Sequence, residues 1–339
     1  MPSPGHMKLR VGLLGGGSWG TTVASIVSRN APILQWARDA ETVKDINVNR
    51  RNQKYLPDCP LPQALRATTD IGEAVGFADV LVMGVPSNSF RKVLQDVKAH
   101  LRPWVPVISL TKGLEANTNL RMTEIIREVL PGHPVGVLTG PNLAREIMRG
   151  QAAASVISME DEIIVKEVQR LFHSGLFRVY FNTDLIGCEL GGVLKNIVAI
   201  AVGMGDGLGA GDNTRSALIT RGLAEITRLG VAMGGRQETF AGLAGMGDLI
   251  ATCTSPLSRN RHVGVELGKG RKIDDIIKEM TMVAEGVKSA PAVMALAEQY
   301  KLHLPIATDV FDAIQGRKSA AEAFRGLIKT AAGSEADAG

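Results

Sequence analysis

Aromatic side chains make up only 4% of the 339-residue chain. That scarcity, with no long run of basic residues, argues against a nucleic-acid-binding surface, which stacks bases on aromatics along a positive groove. The formal charge of +4 is a mild excess that an anionic small molecule explains more economically. Cysteine is scarce as well. Cys59, Cys188 and Cys253 are odd in number, far apart and without metal-ligand spacing, as expected of reduced thiols in a cytosolic protein. The histidines form no H-x-x-x-H or related pattern, so no metal site is expected. Met1 to His6 lack the apolar core of a signal peptide and read as an extension before the fold. The most apolar long stretch, Val193 to Met204, is broken by Lys195 and Asn196 and followed by Asp206. It falls short of the about 20 residues that span a bilayer, so no membrane insertion is expected. These absences leave a soluble, cytoplasmic protein that handles a small molecule.

Glycine, by contrast, is abundant. Leu9 to Leu14 is a short apolar run without polar alternation, suited to a strand buried on both faces of a parallel sheet. Gly15, Gly17 and Gly20 follow at G-x-G-x-x-G spacing, and a helix-compatible stretch begins at Thr21. Gly15 permits a tight turn, Gly17 lets the backbone approach a pyrophosphate, and Gly20 lets the helix pack on the strand. The free N–H groups and positive dipole end of that helix would hold the phosphates. The spacing alone is weak; strand before and helix after make it a dinucleotide-binding fingerprint.

The length implies two domains. Ile33 to Trp36 reads as the second strand, ending in Ala37-Arg38-Asp39. An acid at this strand end takes the ribose 2′-hydroxyl of NAD, and an arginine favours the 2′-phosphate of NADP. Arginine comes first here, which favours NADP and leaves NAD open; an ordinary solvated Arg38 is the plain alternative. Arg51 to Pro62 carries three prolines and is an irregular connection that could lie over the cofactor. Asp79–Val85, Val105–Leu110 and Val135–Leu138 read as further strands, with helices over Phe90–Ala99 and Thr118–Val129. Strands that stop in polar turns (Pro86-Ser87-Asn88, Thr111-Lys112-Gly113, Thr139-Gly140-Pro141-Asn142) lie where open parallel sheets bind ligands. This alternation predicts an α/β, doubly wound Rossmann-type domain over 8–183. From Asp184 it stops. Leu190, Val193, Leu194, Ile197, Val198 and Ala201 follow the stripe of a buried helix face. Helical patterns recur at Arg215–Leu229, Ile273–Met280, Ala290–Tyr300 and Ala320–Thr330, so an all-α domain is expected over 184–331. Residues 1–7 and 332–339 are expected to be flexible ends.

Lys195 lies in Gly191-Gly192-Val193-Leu194-Lys195-Asn196, inside the most apolar helix. Such a lysine must find a partner, reach solvent or face a ligand. The two glycines one turn earlier each cost about 1 kcal/mol of helix stability, so some close backbone approach should need them. Lys112 ends a strand, where the first domain would present it to the cofactor. Two lysines in one pocket would lower the pKa of at least one, leaving it able to move a proton to a carbonyl oxygen. Asp248, in Gly245-Met246-Gly247-Asp248-Leu249, either caps a helix or orients a lysine. Ser258-Arg259-Asn260-Arg261 suits a phosphate dianion, or is a helix cap with solvated arginines.

At these residues the chain resembles the bacterial-type glycerol-3-phosphate dehydrogenases that use NAD or NADP. The resemblance runs through Gly15-Gly16-Gly17-Ser18-Trp19-Gly20, Thr111-Lys112-Gly113-Leu114-Glu115, Gly140-Pro141 and Leu190 to Asn196. It continues through Asp206-Gly207-Leu208-Gly209, Thr220-Arg221-Gly222-Leu223, Gly245 to Leu249, Cys253-Thr254, Ser258 to Arg261 and Glu285-Gly286. It implies reversible hydride transfer between NAD(P)H and dihydroxyacetone phosphate, giving sn-glycerol 3-phosphate for phospholipid synthesis. By the same resemblance Lys195, Lys112 and Asp248 form the catalytic set, with Lys195 as proton donor and acceptor and Lys112 touching substrate and cofactor. Gly140, Asn142, Asp248, Ser258, Arg259 and Asn260 would hold substrate, with Arg259 also reaching the cofactor. Ser18, Trp19, Arg38, Ala144, Val283 and Glu285 would line the dinucleotide beside Gly15, Gly17 and Gly20. Asn142 departs from the Ser or Thr frequent at its position. A homodimer is expected if the helical half leaves an apolar face exposed. Two other readings remain: a dehydrogenase of 2-hydroxy or branched keto acids, and a cofactor-sensing or scaffold protein that kept the fold without the chemistry.

Overall fold

The computed structural model describes residues 9–280 and 284–329. The expected flexible ends and Val283 lie outside the described residues. The chain divides into two compact units. The first takes residues up to 111, Met122–Leu138 and Asn142–Thr183; the second takes Lys112–Arg121, Thr139–Pro141 and the described residues from Asp184 onward.

The first unit carries β1 (Val11–Leu14), α1 (Ser18–Val27), β2 (Ile33–Trp36), α2 (Ala40–Lys44), β3 (Arg66–Thr68), α3 (Ile71–Phe77), β4 (Val80–Met83), α4 (Ser87–Lys98) and β5 (Val107–Ser109). It continues with α5 (Met122–Val129), β6 (Val135–Thr139, whose last residue falls to the second unit), α6 (Ala144–Met148), β7 (Ala153–Met159), α7 (Glu162–Phe172) and β8 (Phe177–Asn182). The eight strands form one sheet in the order β3-β2-β1-β4-β5-β6-β7-β8. Parallel pairs join β1 to β2 and β4, β2 to β3, β4 to β5, β5 to β6, and β7 to β8. The order reverses between β1 and β4, the switch point at which doubly wound sheets take their ligands. β1 is buried at all four residues, and a Cβ on Gly12 would lie 2.4 Å from the Ala74 carbonyl oxygen of α3. The strands are shorter than the apolar runs that announced them: hydrophobic burial continues past the last paired residue, as at Val85 and Leu110. α5 starts at Met122 instead of Thr118, because Asn117 and Asn119 take positive φ and break the helix before it.

The second unit is helical: α8 (Leu185–Gly207), α9 (Asp212–Ala232), α10 (Gln237–Phe240), α11 (Asp248–Thr254), α12 (Arg259–Gly268), α13 (Ile273–Glu279), α14 (Glu285–Gln299), α15 (Pro305–Ile314) and α16 (Ala320–Lys329). α8 is the axis of this unit. Asp184 caps it by accepting from the Gly187 N–H at 2.9 Å. The apolar stripe read from sequence understates it: α8 is buried nearly all round, Glu189, Lys195 and Asn196 included. It is also longer than that reading allowed. At 23 residues, with an 18-residue window of mean hydropathy 1.8, it is long and apolar enough to cross a membrane, yet it lies inside the helical core.

α12 packs on α8 through four glycines. A Cβ on Gly203 would sit 2.1 Å from the Arg261 carbonyl oxygen, and one on Gly264 2.1 Å from that of Ile200. One turn on, Gly207 and Gly268 would meet Val265 and Met204 carbonyls at 2.3 and 2.5 Å. The two backbones are in direct contact, which fixes where α12 begins relative to Lys195.

Candidate active site

In the first unit, Gly15 takes φ +138, and a Cβ on it would lie 2.3 Å from the Gly84 carbonyl oxygen. A Cβ on Gly20 would lie 2.5 Å from the Gly15 carbonyl oxygen. Both are required by the protein's own backbone. Gly17 is different: apart from its chain neighbours, no atom of the described residues lies within 4 Å of the place a Cβ would take. Gly17 also caps α1 and has no side chain to hydrogen-bond the N–H groups of the first turn. Two residues that sequence reasoning passed over hold this turn. Asn52 donates to the Gly16 carbonyl at 2.8 Å and to Thr21 Oγ1 at 2.9 Å, and Gln35 donates to the Gly15 carbonyl at 2.8 Å. Asn52 belongs to the proline-rich connection, which here braces the glycine turn.

Asp39 caps α2, accepting from the Glu41 N–H at 3.3 Å and Thr42 Oγ1 at 2.9 Å, and pairs with Lys54 at 3.3 Å. These contacts, Thr42 first, hold its carboxyl below the usual range. Arg38 is exposed, and its guanidinium has no partner among the described residues. The Trp19 indole N–H is buried without a hydrogen-bond partner among the described residues, its ring edge-on to Phe177. Asn142 accepts from Ser155 Oγ at 3.0 Å through Oδ1, while its Nδ2 is buried and unpaired among the described residues. Ala144 begins α6.

In the second unit, Asp248 is 1% exposed and holds two lysines at once. Its Oδ2 accepts from Lys112 Nζ at 2.7 Å, and its Oδ1 accepts from Lys195 Nζ. Lys112 also donates to the Gly140 carbonyl at 2.8 Å, and Lys195 to Thr252 Oγ1 at 2.6 Å. Thr252 in turn donates to the Asp248 carbonyl at 2.6 Å. Asp248 is the first residue of α11, with Gly247 as the cap, so its carboxylate orients lysines and does not close a helix end. Lys195 is buried on α8, which rules out the solvent-reaching alternative. Burial above all, then the Lys112 charge, outweighs Asp248 and brings the Lys195 ammonium down to about 7. Burial leads here, where the sequence pointed to lysine–lysine repulsion.

The reading of Lys112 as a residue presented by the sheet domain needs correction. β5 ends at Ser109, and residues 112–121 pack as part of the helical unit, with Leu114 in its core. The paired glycines also find their reason. A Cβ on Gly191 would lie 2.5 Å from the Ala244 carbonyl oxygen, and one on Gly192 2.7 Å from Thr139 Oγ1.

A chain of buried amides extends the cluster. The Gly286 N–H donates to Asn260 Oδ1 at 3.0 Å, Asn260 Nδ2 to Asn196 Oδ1 at 2.9 Å, and Asn196 Nδ2 to the Lys112 carbonyl at 3.4 Å. Ser258 caps α12 by accepting from the Arg261 N–H at 3.3 Å, and Arg261 pairs with Asp206 at 2.7 Å. Arg259, the first residue of α12, is exposed and feels the charge of Glu285 at the start of α14. The sequence reading missed Thr252 and the linking role of Asn196. A signal for the α8–α12 contact was present in the two G-x-x-x-G spacings, Gly203–Gly207 and Gly264–Gly268.

Residues 10–165 match the family model for the NAD-dependent glycerol-3-phosphate dehydrogenase N-terminus, and residues 184–325 the model for its C-terminus. The chain belongs to the glycerol-3-phosphate dehydrogenase family. A family member from Sphingopyxis alaskensis, named glycerol-3-phosphate dehydrogenase (NAD(P)+) 2, is 74% identical over 333 residues, covering 98% of this chain and 100% of its own. The enzyme of that family from Mycobacterium tuberculosis H37Rv, named glycerol-3-phosphate dehydrogenase (NAD(P)+) 1, is 56% identical over 327 residues and 96% of each chain. The crystal structure of glycerol-3-phosphate dehydrogenase from Coxiella burnetii superposes with a TM-score of 0.91 at 34% identity, over 95% of this chain and 99% of that one.

Proposed function

We propose that this chain is an NAD(P)-dependent sn-glycerol-3-phosphate dehydrogenase, moving a hydride reversibly between NAD(P)H and dihydroxyacetone phosphate. The observation that carries this reading is the buried cluster in which Lys195 and Lys112 share Asp248. The first unit's turn fits the cofactor: the open space at Gly17 and an α1 N-terminus with no side-chain cap from Gly17 suit a pyrophosphate, and the Trp19 N–H, unpaired among the described residues, offers a further donor. When bound, the reduced nicotinamide supplies the hydride. Lys195 gives its proton to the carbonyl oxygen as that oxygen becomes an alkoxide, and recovers it in the oxidation. Lys112 adds positive charge beside the developing oxyanion, and Asp248 keeps both ammonium groups oriented. The α12 N-terminus with Ser258, Arg259 and Asn260 takes the substrate phosphate. Gly140 and Asn142 complete the substrate set, and Arg38, Ala144, Arg259, Val283 and Glu285 the cofactor set. Because Asp39 is spent on α2 while Arg38 has no partner among the described residues, the site accepts the 2′-phosphate of NADP as well as NAD.

The same reading makes the enzyme cytoplasmic and a supplier of sn-glycerol 3-phosphate to phospholipid synthesis. It also makes it a homodimer, for which Leu208, Val231, Met246, Ile250 and Leu257 of the helical unit are exposed apolar surface. Steady-state rates with NADPH and NADH, on dihydroxyacetone phosphate and on dihydroxyacetone, test the activity. Both cofactors should support reduction of the phosphate, and the unphosphorylated ketone should lose about 10³-fold or more in kcat/KM. Equal rates on the two ketones would remove the phosphate grip from the mechanism.

A further inference from the structure

Residues 112–121 form a hairpin within the helical unit. Leu114 and Arg121 pair as an antiparallel bridge, the Glu115 N–H donates to the Leu120 carbonyl at 2.9 Å, and Asn117 and Asn119 turn the chain at φ 74 and 59. Lys112 stands at one end. At the other, the Arg121 guanidinium donates to Glu189 Oε2 of α8 at 2.9 Å, with the two side chains 6% and 1% exposed. Glu189, Gly192 and Asn196 share one face of α8, three and then four residues apart. Gly192 leaves room there for Lys112, whose Cγ would be 3.4 Å from a Cβ at that position, and Asn196 bonds the Lys112 carbonyl. The hairpin is thus laid along α8, from an ion pair to a catalytic lysine.

A buried ion pair is a poor source of net stability, since desolvation offsets much of its attraction; fixing register is its better-attested use. We infer that the Arg121–Glu189 pair is a positioning latch, which sets where the Lys112 ammonium stands between Asp248 and the Gly140 carbonyl. The inference rests on the dehydrogenase reading above, and neither latch residue belongs to the substrate set named there. Charged and titratable groups that face Lys195 are Asp248 and Cys253 of α11 and Lys112 of the hairpin. A Lys112 set loose would therefore relax the downward push on Lys195.

The test is a cycle of Glu189→Gln with Lys112→Ala, read as kcat/KM for dihydroxyacetone phosphate with NADPH. A misplacement of about 1 Å costs on the order of 10²-fold, so Glu189→Gln should cost about that much in the wild-type background. In the Lys112→Ala background it should cost less than about twofold, because the residue it positions is gone. The high-pH limb of the reduction profile should also move upward in Glu189→Gln alone. The same fold-loss in both backgrounds, or no loss in either, overturns the latch. Should Glu189→Gln not fold, Arg121→Lys, which keeps the charge and loses the planar fork, runs the same cycle to the same decision. A wild-type enzyme inactive on dihydroxyacetone phosphate overturns the dehydrogenase reading itself. Activity with an additive cycle overturns only the latch.

Discussion

Moving an ammonium group out of water is costly enough that a buried lysine tends to give up its proton unless a partner holds it. Lys195 has such a partner in Asp248, and a second acceptor in Thr252, yet burial and the nearby Lys112 still bring it to about 7. A base in that range is charged on the acid side of neutrality and neutral on the alkaline side, so each direction of the reaction uses one form. For ketone reduction, which needs the proton, kcat/KM should be level below pH about 7 and fall about tenfold per unit above it. For alcohol oxidation, which needs the free amine, it should rise up to about 7 and then level. Lys195→Met should remove that limb and lower kcat by about 10² to 10⁴-fold, while NADPH binding, followed by nicotinamide fluorescence, stays close to wild type. The variant should still fold, because Asp248 keeps Lys112 at 2.7 Å. Turnover near the wild-type rate would take proton transfer away from Lys195.

At the scale of elements, the contact that matters most to the site joins α8 to α12, because one carries Lys195 and the other opens with Ser258, Arg259 and Asn260. Its glycines are plain in the sequence as two four-residue spacings, but a spacing names no partner. Only the fold shows that Gly203 and Gly264 face each other, with Cα and Cβ positions under 3 Å apart. The Thr252–Lys195 bond escaped for the same reason: it links residues 57 apart in sequence, and no local periodicity announces it. Gly264→Ala would place a methyl 2.1 Å from the Ile200 carbonyl oxygen, a backbone atom that cannot swing away. The helices must part. Overpacking of this kind costs about 1–3 kcal/mol, of which the better helix propensity of alanine returns about 1. Urea denaturation should therefore show a net loss, and KM for dihydroxyacetone phosphate should rise as Asn260 and Arg259 move. Gly76→Ala in α3 is the control: beyond its chain neighbours and its own helix backbone, no described residue lies within 4 Å of where the methyl would sit, so the same substitution should be neutral or stabilising. Matching losses at both positions would mean that the α8–α12 approach is not what Gly264 serves.

Over the whole molecule, the strand–helix alternation and its end near residue 184 were readable because buried parallel strands and apolar helices leave different periods in the chain. Lys112 was assigned to the wrong unit because it follows a strand by three residues, and nothing local says that Leu114 goes into the helical core and Arg121 onto Glu189. Each unit has a hydrophobic core of its own: Val11, Val23, Val82 and Phe172 lie in one, Leu190, Val198, Phe240 and Val293 in the other. Cofactor choice and proton chemistry therefore rest on separately stabilised sets of residues, and substitutions in one set should leave the other's readout alone. Arg38 gives the sharpest case. It is exposed and unpaired among the described residues, so Arg38→Ala should leave the melting temperature unchanged. A hydrogen bond from its guanidinium to the 2′-phosphate is worth about 1.5–3 kcal/mol, so Kd for NADPH should rise about 10 to 100-fold while that for NADH hardly moves. The pH limb set by Lys195 should stay where it is. Equal weakening of NADPH and NADH would instead make Arg38 a general charge, and the choice between the two cofactors would then have to lie elsewhere in the turn.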